Sequence, residues 1–256
     1  IMTPALAPPF TESANLDTDV SGGNLVGRWT RTLSDSSDLQ VQTYYDRTER
    51  DSPFIREERD TFDVDAQHRF ALTPNQEIVW GAGYRYTTDN IRENSPSFRV
   101  DPNERGDNLV SSFVQDEITV IEERLRFIAG SKFEYNDYTG FEVQPSARLI
   151  WTPEDERQTV WGAVSRAVRT PSRAEHNFSI DRTALPPGAL GPGSAATFTR
   201  LVGDEDFDSE ELIAYEMGYR FIPTKQLSLD MATFINVYDN LRTFERGIPF
   251  AEGTPP

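Results

Sequence analysis

The sequence contains no cysteine and only two histidines, His68 and His176, among its 256 residues. Without cysteine the chain can form neither disulfide bridges nor thiolate metal sites. It also has no run of about 18 apolar residues, which excludes a transmembrane helix. Basic residues are scarce, because 25 Lys and Arg stand against 42 Asp and Glu and give a net charge of −17. This balance argues against binding to nucleic acid, which requires clustered cations.

The N-terminal segment at 1–10 has neither the basic start nor the long apolar run of a signal peptide. Its composition is instead that of the interior of a Pro-rich loop. We therefore expect the chain to be a fragment or a processed form.

Alternation of apolar and polar residues with a period of two dominates the sequence, and no segment shows a convincing helical period. Side chains on a strand point alternately to its two faces, so each such segment has one apolar and one polar surface. The clearest case is segment 77–90, in which one face carries Ile78, Trp80, Ala82, Tyr84 and Tyr86.

The alternation predicts ten strands, most of them longer than the about 5–6 residues of an ordinary strand. They match or exceed the roughly 9–11 residues that a tilted strand needs to cross a bilayer. Their predicted bounds are 22–32, 38–50, 57–72, 77–90, 108–121, 125–138, 141–152, 158–168, 210–221 and 226–244.

The connections between these strands are short on one side and mostly long on the other. Short turns are predicted at 33–37, 73–76, 121–124, 152–157 and 223–225. The opposite side carries 51–56, 91–107, 139–140, 169–209 and 245–256, of which only 139–140 is expected to be short. This asymmetry favours up-and-down topology and is typical of a transmembrane β-barrel.

A soluble sandwich and a membrane barrel share the same periodicity, so strand length and aromatic placement must separate them. Aromatic residues form two sets, as expected for the girdles at two membrane interfaces. The set near the short turns is Trp80, Phe127, Trp151, Trp161 and Phe221, and the set toward the long loops is Tyr45, Tyr84, Tyr86, Tyr135 and Tyr138. We predict an all-β fold, an antiparallel up-and-down transmembrane β-barrel of which this chain is a fragment of about ten strands.

Several blocks of sequence carry a resemblance to a known family. They read FVQDEITV at 113–120, LRFIAGSKFEYN at 125–136, QPSARL at 144–149, VWGAVSRAVRTPS at 160–172 and FDSEELIAYEMGYR at 207–220. In this order they resemble the barrel region of TonB-dependent outer-membrane receptors. The resemblance is close over 108–244 and extends in style over about 20–245.

The resemblance implies an energised importer in the outer membrane of a Gram-negative bacterium, with a 22-stranded barrel around an N-terminal plug. It implies binding of a scarce nutrient such as an iron-siderophore, contact with outer-membrane lipid, and coupling through the plug to the TonB complex. Residues 1–256 are expected to be one partial barrel domain without a plug or TonB box. The long loop at 169–209 is expected to be extracellular.

Candidate ligand-binding residues cluster at the start of this loop. Three arginines, at the end of the eighth strand and in this loop, could attract an anionic ferric siderophore, could pair with plug carboxylates, or could balance nearby acids in the barrel wall. A histidine and an asparagine follow them in the loop, where functional residues are common. The predicted set is Arg166, Arg169, Arg173, His176 and Asn177.

No catalytic constellation occurs, and no enzyme activity, cofactor or metal is predicted. The acidic run at 204–211 fails the EF-hand pattern, because Ser209 and Tyr215 stand where that pattern needs Gly and Glu. A looser calcium site and a solvated acidic loop both remain open there. The alternatives to an uptake receptor are a plugless passive or structural barrel, and a soluble acidic β-sandwich that binds carbohydrate or calcium.

Overall fold

The computed structural model describes residues 2–4, 11–13, 17–154 and 157–248. At the N-terminus two short strands, β1 (Met2–Pro4) and β2 (Thr11–Ser13), pair antiparallel. Most of the predicted Pro-rich loop at 1–10 lies outside the described residues, as do 155–156 of one predicted turn and 249–256 of the last predicted loop. Among the described residues, no helix is long and apolar enough to cross a membrane.

Ten long antiparallel strands form one sheet, which confirms the predicted up-and-down arrangement. Each strand pairs with the strands before and after it, apart from the edge strands of the described sheet. The strands are β3 (Asp19–Ser34), β4 (Ser37–Asp51), β5 (Ile55–Thr73), β6 (Gln76–Glu93), β8 (Glu104–Ile121), β9 (Leu125–Asn136), β10 (Gly140–Trp151), β11 (Gln158–Arg169), β14 (Glu210–Thr224) and β15 (Leu227–Asp239). A short strand, β7 (Phe98–Val100), lies in the connection between β6 and β8.

All ten predicted strands are present, and their observed ends lie within a few residues of the predicted ones. One predicted loop is wrong, because β4 and β5 continue their pairing as far as Asp51 and Arg56. The connection predicted at 51–56 is therefore only 52–54. We call the end of the sheet that carries 52–54, 94–103, 137–139 and 170–209 the loop end, and the opposite end the turn end.

The two faces of the sheet differ in chemistry, because register places like residues side by side. On one face, Tyr45 pairs with Phe62 and Phe62 with Tyr86, and all three are exposed. We call this the apolar face, and the other, which carries Asp63, Arg85 and Arg126, the polar face. Directly paired residues share a face, so the register assigns every strand residue to one of them.

Trp161 is a correction to the predicted aromatic band at the turn end. It pairs with Ile150, which in turn pairs with Arg126, so the indole ring lies on the polar face. The strand β11 carries small or β-branched residues on both faces, and alternation alone therefore did not reveal which face the ring occupies. His68, one of the two histidines, lies on the apolar face beside Trp80. The Trp80 Nε1 donates a hydrogen bond to His68 Nδ1 at 3.2 Å.

A second, smaller sheet lies at the loop end. Strands β12 (Phe178–Leu185) and β13 (Thr197–Val202) form a hairpin within the long connection at 170–209. Strand β12 also pairs with β7, which joins this connection to the one between β6 and β8. A single helical turn, α1 (Arg173–Asn177), precedes β12. The long loop is thus an ordered layer over the loop end of the main sheet.

Candidate ligand-binding site at the loop end

Helix α1 begins with a reciprocal cap built from two residues. The Ser172 backbone N–H donates to Glu175 Oε2 at 2.8 Å, and the Ser172 hydroxyl donates to the same oxygen at 3.0 Å. This Ser-x-x-Glu spacing is a helix-start signal that can be read from sequence. Pro171, Ser172 and Arg173, at the start of α1, line a cavity on the polar face of the sheet.

Arg173 is deeply buried, at 6% exposed. Its Nε lies 3.1 Å from Oδ1 of Asp89, a carboxylate at the loop end of β6 that is itself only 5% exposed. Arg59, which pairs with Asp89 across the strands, lies 3.7 Å from the other carboxylate oxygen. Nη2 of Arg173 donates to the Pro102 carbonyl, while its Nη1 has no hydrogen-bond partner among the described residues. Although Arg173 is ion-paired with Asp89, its buried Nη1 therefore donates no hydrogen bond within the described part of the chain.

His176 and Asn177 are also buried, and both are held by protein partners. The Nε2 of His176 lies 3.1 Å from the Phe207 carbonyl oxygen, and its ring packs edge-on against Tyr138. Asn177 Oδ1 accepts a hydrogen bond of 2.9 Å from Arg105 Nη1. These contacts fix the C-terminal end of α1 to the rim of the sheet.

Tyr138 is a site residue that the sequence did not single out as a ligand contact. Its hydroxyl donates to Asp107 Oδ2 at 2.8 Å, and the Arg105 guanidinium lies over its ring at 4.3 Å. Burial, reinforced by the Asp107 carboxylate, raises the pKa of the Tyr138 hydroxyl far above its usual range. The phenol therefore stays neutral and keeps donating its proton to Asp107.

Arg166 and Arg169 lie at the top of β11 and bind carboxylates on neighbouring elements. Arg169 contacts Glu210 through Nε at 2.8 Å and Glu175 through Nη2 at 2.8 Å. Hydrogen bonding from Arg169 lowers the pKa of the Glu175 carboxyl to about 2. Arg166 contacts Glu211 at 2.8 Å and also donates to the Val143 carbonyl. Arg169 therefore joins α1 to β11 and β14, while Arg166 joins β11 to its neighbours β10 and β14.

Two cavities flank α1, and the helix forms part of the wall of each. The inner cavity, of about 450 Å³, lies on the polar face, and its lining includes Arg59, Arg85, Asp89, Asp107, Tyr138 and Arg173. The rim cavity, of about 570 Å³, lies between the hairpin β12–β13 and residues 240–245. The inner cavity is the better candidate site, because buried unfilled donors line it.

Of the five predicted residues, Arg173, His176 and Asn177 belong to α1, Arg169 contacts Glu175 of α1, and Arg166 lies apart from the helix. Only Arg173 lines the inner cavity, and whether any of the five touches a ligand stays a prediction. The structure adds Arg59, Asp89, Asp107 and Tyr138, which come from other strands and loops. Strand alternation could have placed Arg59 and Asp89 on one face, but only register makes them neighbours. Among the described residues, no group of three or more acidic or histidine side chains is placed to hold a metal ion.

Comparison with known proteins adds the following. A model of the family described as TonB dependent receptor-like, β-barrel, matches residues 5–254. No curated protein matches the sequence. The siderophore receptor PirA from Pseudomonas aeruginosa is similar, with a TM-score of 0.66 and 17% identity over 86% of this chain and 39% of that one.

Two further solved structures are similar at the level of the fold. The ferric enterobactin receptor PfeA from Pseudomonas aeruginosa has a TM-score of 0.64 and 15% identity over 84% of this chain and 35% of that one. The hemophore receptor HasR of Serratia marcescens, in complex with its hemophore HasA and heme, has a TM-score of 0.66 and 15% identity over 88% of this chain and 40% of that one. The chain thus spans less than half the length of these neighbours.

Proposed function

This chain belongs to the TonB-dependent receptor β-barrel family, and we propose that it forms ten strands of an outer-membrane receptor for uptake of a scarce nutrient. The observation that carries the proposal is the inner cavity, where the buried Arg173 has a free Nη1 donor. A site with buried, unfilled donors favours a ligand that brings its own acceptor oxygens.

The apolar face is proposed to contact lipid. On β6 the apolar face runs over residues 78–86, and Trp80, Tyr84 and Tyr86 are exposed on it. This length falls within the roughly 9–11 residues that a tilted strand needs to cross a bilayer. Arg47 lies between the aromatic row Tyr45–Phe62–Tyr86 and the loop end, and it forms ion pairs with Glu49 and Asp60. We infer that the loop end faces the exterior and the turn end the periplasm.

The proposed ligand is a small nutrient complex with anionic oxygens, such as a ferric siderophore. By name, PirA is a siderophore receptor, PfeA a ferric enterobactin receptor and HasR a hemophore receptor. Arg59 and Arg173 carry unpartnered nitrogens in the inner cavity, while Asp89 balances part of their charge. A ligand with acceptor oxygens supplies hydrogen-bond partners for these nitrogens. Coupling to the TonB complex is proposed through parts of the protein outside this chain.

The test uses the full-length protein and its gene. A deletion strain is grown on limiting iron with ferric siderophores or heme as the sole source, and is complemented with wild type, Arg173→Gln or Arg124→Gln. Arg124 is an exposed residue at the turn end, paired with Glu154 at 2.7 Å, and serves as the matched control.

We expect uptake to be lost on deletion, restored by wild type and by Arg124→Gln, and reduced about ten-fold or more by Arg173→Gln, since a charge-assisted hydrogen bond contributes about 1.5–3 kcal/mol. Full uptake by Arg173→Gln would contradict the assignment of the inner cavity. Growth of the deletion strain on every nutrient tested would contradict the uptake function. Release of the full-length protein by salt or alkali without detergent would instead favour a soluble sandwich.

A further inference from the structure

We propose that the sheet can part between β10 and β11 at the loop end, and that Arg166 holds this seam closed. Both strands have 12 residues and lie inside the sheet, yet the register between them covers only the pairs from Ser146–Ser165 to Trp151–Val160. Toward the loop end, β10 stays paired with β9 and β11 with β14. We call the stretch without register, residues 140–145 of β10 and 166–169 of β11, the seam. The inference goes beyond the proposed function, because parting of two strands requires no ligand.

The seam begins at Pro145, the residue of β10 that follows the last pair toward the loop end. The carbonyl of Val143 faces β11, since it accepts a hydrogen bond from the Arg166 side chain. Residues two apart on a strand direct their backbone groups to the same neighbour, so Pro145 also faces β11. Proline has no N–H to donate and is confined to strand edges, strand starts and bulges. The backbone ladder between the two strands therefore ends where Pro145 would have to donate.

Side chains close the seam where the backbone ladder does not. Arg166 Nη1 donates to the Val143 carbonyl. Its Nη2 lies 3.5 Å from Glu142 Oε2 and 2.8 Å from Glu211 Oε1. The hydroxyl of Ser209, the last residue of the long connection, donates to Glu142 Oε1 at 2.6 Å. Side chains of β10, β11, β14 and the long connection thus meet around Arg166.

The buried Glu142 carboxylate depends on Arg166 for its compensating charge. Glu142 is directly paired with Glu134 of β9, and both residues are buried. Like charges directly opposite on neighbouring strands destabilise a sheet. Lys132 contacts Glu134, whereas the cation beside Glu142 is Arg166. Loss of the guanidinium leaves a buried carboxylate without its cation, and parting of the strands lets water reach that carboxylate.

The inner cavity borders both sides of the seam. Tyr138 precedes β10 and Thr170 follows β11, and both residues line this cavity. The layer formed by the long connection crosses above the seam, because its strand β12 pairs with β7 on the far side. Parting of β10 from β11 therefore opens a window in the sheet beneath that layer. Such a window gives the inner cavity a second, lateral entrance.

The first experiment measures disulfide formation in the full-length protein in detergent, to which this chain contributes no cysteine of its own. The seam pair is Val143→Cys with Val168→Cys, which would stand opposite each other if the register continued. The control pair is Ala147→Cys with Val164→Cys, which is directly paired on the turn-end side of the seam. We expect the control pair to oxidise on the order of ten-fold faster, because cysteines with distant Cα atoms cannot be bridged without backbone movement. Equal rates would overturn the proposal.

The second experiment measures amide hydrogen exchange in wild type, Arg166→Gln, Arg166→Lys and the control Arg47→Gln. Arg47 is also a loop-end arginine with carboxylate partners, but its strand β4 is paired with β5 from end to end. In Arg166→Gln we expect the pair next to the seam, Ala147 and Val164, to exchange about ten-fold faster, since a charge-assisted hydrogen bond is lost there. Lysine keeps the charge but not the planar fork, so Arg166→Lys is expected between wild type and Arg166→Gln.

Unchanged exchange within β6 shows that each variant is folded. In Arg47→Gln we expect exchange at Ala147 and Val164 to equal that of wild type. Unchanged exchange at these two residues in Arg166→Gln, or an equal increase there in Arg47→Gln, would show that Arg166 does not hold the seam. Both experiments are carried out without any nutrient, so their failure and failure of the proposed uptake function are separate results.

Discussion

Two groups of arginines on this sheet have opposite surroundings. At the loop end, Arg166, Arg169 and Arg173 each contact at least one carboxylate. At the turn end, Arg126 and Arg220 are paired, but Arg148 contacts only the Trp161 ring among the described residues. In the first group, Arg169 and Arg173 join the loop layer to the sheet and Arg166 joins neighbouring strands, whereas in the second group Arg148 lies over an aromatic ring.

The difference shows that an arginine in a loop is not by itself evidence of a ligand site. Removing one partner of a buried ion pair leaves the other charge uncompensated, so such arginines are structurally essential whatever they bind. An exposed arginine with no carboxylate partner among the described residues adds little to the stability of the sheet. The comparison therefore predicts that substitutions at the two ends affect different properties.

The largest effect is expected at Arg173, where Arg173→Gln leaves the buried Asp89 carboxylate without its principal cation. We expect the attachment of the loop layer to weaken by about 3 kcal/mol, toward the low end for a buried pair because Arg59 stays nearby. The chain lacks cysteine, so Leu190→Cys, at an exposed position in the loop, accepts a single spin label. The label should become more mobile in Arg173→Gln.

Asp89→Asn supplies the control for this prediction. If the Arg173–Asp89 ion pair holds the loop layer in place, the double variant Arg173→Gln with Asp89→Asn should restore part of the lost order of the label. Neither charge is then left without its partner. Unchanged label mobility in Arg173→Gln would show that the loop layer is held by its other contacts.

A smaller effect is expected at Gly218, where Gly218→Ala places a Cβ against the Trp161 indole. We expect a loss of about 1–3 kcal/mol in unfolding free energy, because the ring must move or the strands must separate. Denaturant unfolding of the full-length protein measures it, with Gly23→Ala as control. Gly23 is also a strand glycine, and nothing lies within 4 Å of the Cβ position there. Equal stability of the two variants would refute the close packing of Trp161.

The smallest effect is a pH dependence at the loop end. Arg169 lowers the pKa of Glu175 to about 2, below its ordinary value of 4.5. The stabilisation is therefore complete above about pH 4.5 and is lost as the pH falls through about 2. Because Arg169 is half-exposed, we expect only about 1 kcal/mol. The spin label at position 190 should gain mobility below pH 4, and Glu175→Gln should remove that pH dependence. A titration that is the same in Glu175→Gln would assign it to another group.

Strand positions were predictable because alternation is a local property of the chain. The strand predicted at 210–221 begins at the observed Glu210, and the one predicted at 125–138 ends only two residues late. The hairpin β12–β13 and helix α1 were missed, since the whole of 169–209 was read as one loop. The Ser172-x-x-Glu175 spacing before α1 was a usable signal.

The five candidate site residues could be identified as a cluster in the sequence, but the residues that they contact could not be predicted. Asp89 and Arg59 lie far from Arg173 along the chain, and neither has a local pattern that distinguishes it from other strand residues. Their pairing depends on how the loop layer folds over the inner cavity. Sequence reasoning left ligand attraction and charge balance both open for the arginines, and the structure shows ion pairs that provide such balance.

The sequence by itself determined the ten two-faced strands and the short turns, because side-chain alternation and turn chemistry act over a few residues. Only the tertiary structure decided which charges meet. Register placed Trp161 on the polar face, brought Arg59 beside Asp89, and left Arg148 without a carboxylate among the described residues. These outcomes depend on contacts between residues distant in the chain, which no local pattern encodes.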